Sequence, residues 1–144
     1  MYMKSLQVNQ CKIIELCKII DGRDGVLSVA EAQRQIPFDI KRVYYIYDLK
    51  YASALRGQHA HKQNKQVIFC INGSFTLTLD DGSHQQEIVL NQPNIGVFMD
   101  VKLWHTMKDF SEKCILLVFA SELYDENDYI RDYNEFKKYI NDTF

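Results

Sequence analysis

The chain has 144 residues, 47% apolar and 25% charged, a composition that fits one globular domain around a single core. No apolar run approaches the ~20 residues of a membrane span, and 17 Lys and Arg against 19 Asp and Glu leave a net charge of −2, which argues against nucleic-acid binding through a basic face. The opening MYMKSLQVNQCKII lacks the basic stretch and apolar run of a secretory signal, and Cys11, Cys17, Cys70 and Cys114 form no C-x-x-C pair, so a cytoplasmic chain with reduced thiols is expected.

In chain order, the pattern is short β runs broken by turn signals. KIIELCKII (12–20) and VLSVAEA (26–32) flank the turn DGRDG (21–25), and KRVYYIYDL (41–49) is rich in β-branched and aromatic residues. After RGQHAHK (56–62) come QVIFCI (66–71) and SFTLTL (74–79), separated by Asn72-Gly73, which predicts a hairpin. DDGS (80–83) turns the chain into HQQEIVL (84–90), and IGVFMD (95–100), LWHTMKDF (103–110) and CILLVFAS (114–121) follow. About nine or ten strands at this spacing predict an all-β sandwich or barrel. From Tyr124 on, apolar residues at Tyr129, Ile130, Tyr133, Phe136 and Tyr139/Ile140 recur every three or four positions, which predicts a helix outside the β body. Residues 1–144 are thus read as one domain, with about 122–142 as a C-terminal helical segment.

The stretch with the most chemistry is RGQHAHK. His59 and His61 are two apart, so on a strand they face the same way, about 7 Å apart along the backbone. Such a pair can converge on a metal ion or on two neighbouring atoms of a substrate. The spacing from His59 and His61 through Gln66 to Gly73 is similar to the first motif of the cupin superfamily, in which two histidines and an acid hold a metal and a later strand adds a third histidine. Here the acid position is Gln66, a neutral amide and a poor ligand for a divalent cation. His105 is a candidate third histidine, and three histidines without a carboxylate can still hold zinc, but the Pro-x-Gly expected before it reads Asp100-Val101-Lys102. The other reading is acid/base chemistry. With an ordinary pKa near ~6.5, two histidines over adjacent carbons can take a proton from one and return it to the next, and Arg56 can support a developing enolate. Tyr44 must face opposite to Tyr45 and Tyr47, and Trp104 opposite to His105, but alternation alone leaves open which face looks inward. With no Gly-rich phosphate loop, a diphosphate must be held by cations such as Arg42 or Arg23.

RVYYIYD (42–48), RGQHAHK (56–62), LDDG (79–82), LWH (103–105) and SELYDENDYIRDYNEFKKYI (121–140) together resemble the nucleotide-sugar 3,4-ketoisomerases of the cupin superfamily, over about residues 18–140. The resemblance implies an all-β cupin double-stranded β-helix (jelly roll) with a C-terminal helix. It also implies a homodimer, often with exchanged N-terminal strands, and neither metal nor other cofactor. The implied substrate is dTDP-4-oxo-6-deoxy-D-glucose, whose oxo group moves from C4 to C3. His59 and His61 would be the acid/base pair and Arg56 a ligand contact, with Tyr45 or Tyr44 lining the sugar pocket and His105 and Arg23 near the hexose. Trp104 and Arg42 complete the expected substrate-binding set. Arg in the first turn, with His after Trp, is similar to the branch giving galacto-configured 3-oxo products, which feed 3-amino-3,6-dideoxyhexoses. DGRDG departs slightly from the family's D-x-R-G at that turn. The rival readings are a related cupin sugar epimerase, a metal-dependent cupin oxygenase and a non-catalytic sugar-nucleotide-binding module.

Overall fold

The structure, a computed structural model, describes residues 6–51 and 53–142. Its strands are β1 (Cys11–Glu15), β2 (Ile19–Ile20), β3 (Val26–Leu27), β4 (Arg42–Ile46), β5 (Arg56–His61), β6 (Gln66–Asn72), β7 (Phe75–Asp80), β8 (Gln85–Leu90), β9 (Ile95–Met99), β10 (Trp104–Lys108), β11 (Ile115–Ala120) and β12 (Tyr129–Ile130), followed by α1 (Tyr133–Asp142). Two five-stranded antiparallel sheets form, in the orders β1-β9-β6-β11-β4 and β12-β5-β10-β7-β8, while β2 and β3 make a separate hairpin. Ile68, Cys70, Val97, Leu116 and Val118 of the first sheet meet Phe75, Leu77, Leu79 and Met107 of the second in one continuous core. Each fully buried aliphatic or aromatic side chain there contributes about 1.5–3 kcal/mol of transfer free energy, so contact between the sheets, rather than turn chemistry, dominates cohesion. This is the double-stranded β-helix of the cupins.

Three local expectations are corrected. Asn72-Gly73 does not close a hairpin: β6 pairs with β9 and β11 in one sheet, while β7 pairs with β8 and β10 in the other. The turn carries the chain between sheets, and Gly73 is required there. Its φ is +77°, and a Cβ would lie 2.3 Å from the Ser111 Oγ. The β7–β8 hairpin at DDGS does form, with Asp80 opposite Gln85.

The N-terminal runs are shorter than their composition suggests. The β1 ladder closes at Leu16, whose N–H donates to the Asn94 carbonyl at 2.8 Å and whose own carbonyl accepts from the Asn94 side-chain amide at 3.1 Å. Beyond Leu27 the chain lies across the outer face of the first sheet, where Ile36 and Phe38 are buried with Ile14, Leu16, Val67 and Phe69. A chain held by packing on a sheet face need not extend its own ladder.

The tail becomes an α-helix only at Tyr133. Before it come a 3₁₀ turn (Glu126–Asp128) and β12, which pairs with β5 through Tyr129 opposite His61 and Ile130 opposite Ala60. The cause is side-chain competition for backbone donors. Asp125 caps the Asn127 N–H at 3.0 Å, and Asp128 accepts from backbone N–H groups of the 62–64 turn, so these acids favour turns over helix. Helix α1 then starts properly, with Asp132 accepting from the Glu135 N–H at 2.9 Å. It buries Phe136 against Ala60 and Ile130, with Trp104 at the edge. Among the described residues, no helix is long and apolar enough to cross a membrane, and all four cysteines are free.

Candidate active site

The site is built on β5. Gly57 and Gln58 both have positive φ, +80° and +56°. Opposite them the register slips, with His59 facing His105 but Gly57 facing Thr106, so Gln58 is the extra residue of a bulge. Gly57 is needed at this close approach, because a Cβ would sit 3.0 Å from the His105 carbonyl. Past the bulge, regular alternation sends Ala60 toward α1 and both His59 and His61 inward.

Three imidazoles converge. His59 is 4.9 Å from His61 and 4.6 Å from His105, ring centre to ring centre, and His61 is 5.9 Å from His105. Each Nδ1 has an acceptor: the Gly57 carbonyl for His59 (3.0 Å), the Asp128 carboxylate for His61 (2.8 Å) and the Leu103 carbonyl for His105 (3.3 Å). An Nδ1 that donates leaves Nε2 with its lone pair as a base. His61 and His105 are each only 3% exposed, whereas His59 is half-buried and lines an open cleft.

Burial penalises the charged imidazolium, and neighbouring histidines add repulsion. His59 is pushed down to about 4 by burial and then by His61. His105 is pushed to about 3, by burial and then by His59. His61 is lowered by burial and by His105, against the opposing pull of Asp128. All three are therefore neutral at pH 7, each with a ring nitrogen lone pair uncommitted to a proton, although the same burial makes them weaker bases than a free imidazole.

The cleft, of about 460 Å³, lies between β4, β5, β10 and β12. Arg42 and Tyr44 from β4, Arg56 from β5 and Tyr129 and Arg131 from the tail line it. Three guanidiniums on one cleft provide the cations that a diphosphate or an oxyanion needs. Tyr44 accepts a hydrogen bond from the Gln66 Nε2 at 2.8 Å, which leaves its own O–H to donate elsewhere. Burial pushes the Tyr44 hydroxyl up to about 12, so it stays a donor.

Of the residues singled out from sequence, His59, His61, His105, Arg56, Arg42 and Tyr44 come together. Three do not. Tyr45 is 63% exposed on the opposite face of β4, stacked on Tyr47 at 5.6 Å. Trp104 faces away from His105 and packs on Tyr133 (5.4 Å) and Phe136 (5.7 Å) under α1. Arg23 sits in the exposed β2–β3 turn and does not line this chain's cleft.

The tail residues Asp128, Tyr129 and Arg131 were missed as site components, because helical spacing hid a strand. The signal available was the density of Asp and Asn at 125–128, which favours turns. Tyr129 packs on His59 (4.9 Å) and His61 (4.6 Å), and Arg131 lies 4.2 Å from the Tyr129 ring centre while its Nε donates to Glu126 at 2.7 Å.

A cupin barrel raises the question of a metal. The three imidazoles offer nitrogens within 4.8 Å of one another, but no carboxylate or thiol of the described residues joins the group. The amide at the acid position is engaged with Tyr44 instead.

A double-stranded β-helix with three converging imidazoles at a cationic cleft defines a cupin-type protein. Residues 9–141 match the family described as FdtA: WxcM-like, C-terminal. The chain is 50% identical over 129 residues, 90% of its length and 91% of the relative's, to TDP-4-oxo-6-deoxy-alpha-D-glucose-3,4-oxoisomerase from Aneurinibacillus thermoaerophilus. It is similar to the crystal structure of a 3,4-ketoisomerase from Helicobacter canadensis, at 45% identity and a TM-score of 0.87, covering 91% of this chain and 97% of that one. It is also similar to a mutant 3,4-ketoisomerase from Thermoanaerobacterium thermosaccharolyticum in complex with TDP-4-keto-6-deoxyglucose, at 39% identity and a TM-score of 0.91, covering 96% and 99%. The chain belongs to the FdtA family of sugar-nucleotide 3,4-ketoisomerases, and it is an isomerase.

Proposed function

We propose that the chain converts dTDP-4-oxo-6-deoxy-D-glucose into its 3-oxo isomer through an enediol, without a metal or other cofactor. The observation that carries this reading is the set of neutral imidazoles at the cleft, with His59 exposed to it and His61 and His105 behind. In the reaction, the His59 Nε2 takes the C3 proton, made acidic by the C4 carbonyl. O4 gains the proton held by His59, directly or through solvent, and charge developing on it is supported by Arg56 and Tyr44. The bare Nε2 of His61 takes the O3–H proton as C3=O forms, and that proton, or one from a water that His61 orients, is delivered to C4. One C–H and one O–H bond are broken and one of each is made, so the product is an isomer. Arg42 and Arg131, which line the same cleft, are read as the cations that meet the diphosphate.

The product is read as the galacto-configured 3-oxo sugar, a precursor of 3-amino-3,6-dideoxyhexoses, because histidine follows Trp104 and arginine occupies the first turn. His105 directly opposite His59 supports a role at the hexose. The active species is read as a homodimer with exchanged N-terminal arms. In support, Ile19, Ile20, Val26 and Leu27 of the β2–β3 hairpin are all at least half exposed in the single chain. An exchanged arm could also bring Arg23 to a partner's cleft. The localisation is read as cytoplasmic.

Incubation with dTDP-4-oxo-6-deoxyglucose in D₂O, followed by NMR, tests the reaction. Turnover with deuterium at C4 and a small H4–H5 coupling in residual protonated product is expected, and should survive exhaustive chelation. Binding without exchange at C3 would sink the enzymatic reading, and loss of activity with a stoichiometric metal would replace it by a metal mechanism. His59→Asn is expected to abolish exchange while leaving dTDP affinity within about threefold, since the base acts on the sugar rather than the nucleotide.

A further inference from the structure

The carboxylate of Asp128 is 67 residues from His61 in sequence and 2.8 Å from its Nδ1. The contact is enclosed, with the two side chains only 4% and 9% exposed. The remaining acceptor capacity of the carboxylate is occupied. Oδ1 accepts from the Lys62 and Gln63 N–H groups at 3.1 and 2.6 Å, and Oδ2 also accepts from the Asn64 N–H at 3.3 Å. Four donors thus fix the carboxylate, and an ionised carboxylate can only accept. Whatever faces Oδ2 must bring a hydrogen, so His61 carries its proton on Nδ1. Its Nε2 is buried and has no hydrogen-bond partner among the described residues. A buried lone pair without a donor is costly unless something uses it.

We propose that Asp128 is a positioning residue for the isomerisation. It locks His61 in the Nδ1–H tautomer, so that Nε2 is held as a bare proton acceptor behind His59. This rests on the ketoisomerase reading above. It assigns the tail a role in the chemistry: the 3₁₀ turn at 126–128 delivers the carboxylate, and the neighbouring β12 pairing of Tyr129 with His61 holds it in register. Asp128 does not line the cleft, so its effect passes through His61.

The test begins with the wild-type protein. Long-range ¹H–¹⁵N correlation at neutral pH reads each histidine tautomer directly. His61 protonated on Nδ1 is expected, and His61 protonated on Nε2 would overturn the proposal without any variant being made. Asp128→Asn is the second arm. Its amide oxygen can still accept from the Lys62 and Gln63 N–H groups, while its N–H₂, in place of Oδ2, gives up the bond from Asn64 and faces His61 Nδ1, which must then accept and carry its proton on Nε2. The expected result is that flipped tautomer, a fall in kcat of about 10²–10⁴-fold, as for loss of the orienting carboxylate in a catalytic triad, and KM within about twofold.

A merely structural role is separated by repeating the substitution in a His61→Gln background. There it should cost no further activity, because its partner is gone. An unflipped tautomer in the variant, or a further loss in the double variant, would overturn the assignment. If wild type fails to isomerise the 4-oxo sugar, the ketoisomerase reading falls, while the tautomer result still reports whether Asp128 sets His61.

Discussion

At the scale of single residues, the decisive property is that three histidines are kept uncharged. In the unfolded chain each takes a proton near its ordinary pKa of ~6.5. In the fold His59 does so only at about 4 and His105 at about 3. Above pH 6.5 neither state is protonated there, so the full stability is present. As pH falls below 6.5 the unfolded state binds protons first, and stability is lost progressively down to about pH 4. Urea midpoints measured from pH 7.5 to 4.5 should therefore decline, and His105→Gln should flatten the decline. An unchanged slope would assign it to other groups. Gln66 shows how far one residue could be read. The sequence marked it as an amide where a ligand belongs, but only the structure shows it donating to Tyr44.

At the scale of elements, strand alternation made much of the site legible. It put His59 and His61 on one face and Tyr44 opposite Tyr45, because a period of two follows from backbone geometry. It could not say which face was inside. For Tyr44 and Tyr45 that depended on β4 pairing with β11, which turns Tyr44 toward the cleft. Nor could it find the bulge that sets His59 against His105. Gly57→Ala should cost about 1–3 kcal/mol, the range for strained backbone, since φ is +80° and the new methyl would meet the His105 carbonyl at 3.0 Å. A thermal scan together with the D₂O exchange assay checks this, with loss of both stability and turnover expected. The tail misled for a related reason. Periodicity reports the spacing of apolar residues but not the competing bonds of Asp125 and Asp128, which hold the chain in a turn and a strand until α1 begins.

At the scale of the whole molecule, the cleft is completed by parts distant in sequence, and the N-terminal hairpin pairs with neither five-stranded sheet. Ile20 is 72% exposed and Leu27 58%, and a hairpin with only two residues per strand has little to stabilise it alone. The proposed exchanged-arm dimer would cover this surface with a second copy. Light scattering on a sizing column should give twice the chain mass, and Ile20→Asp with Leu27→Asp should give a monomer. A wild-type monomer would remove the exchanged-arm reading and leave Arg23 without a cleft.

The sequence by itself determined the strand-rich composition, the same-face histidine pair and the absence of a carboxylate at the ligand position. Each of these is a property of nearest neighbours along the chain. Only the tertiary structure decided that Asn72-Gly73 joins two sheets rather than two paired strands. It alone brought His105 across from His59 and Asp128 beneath His61. Those contacts depend on closing long loops between strands, and their register is set by the packed interior of the barrel, which no local pattern encodes.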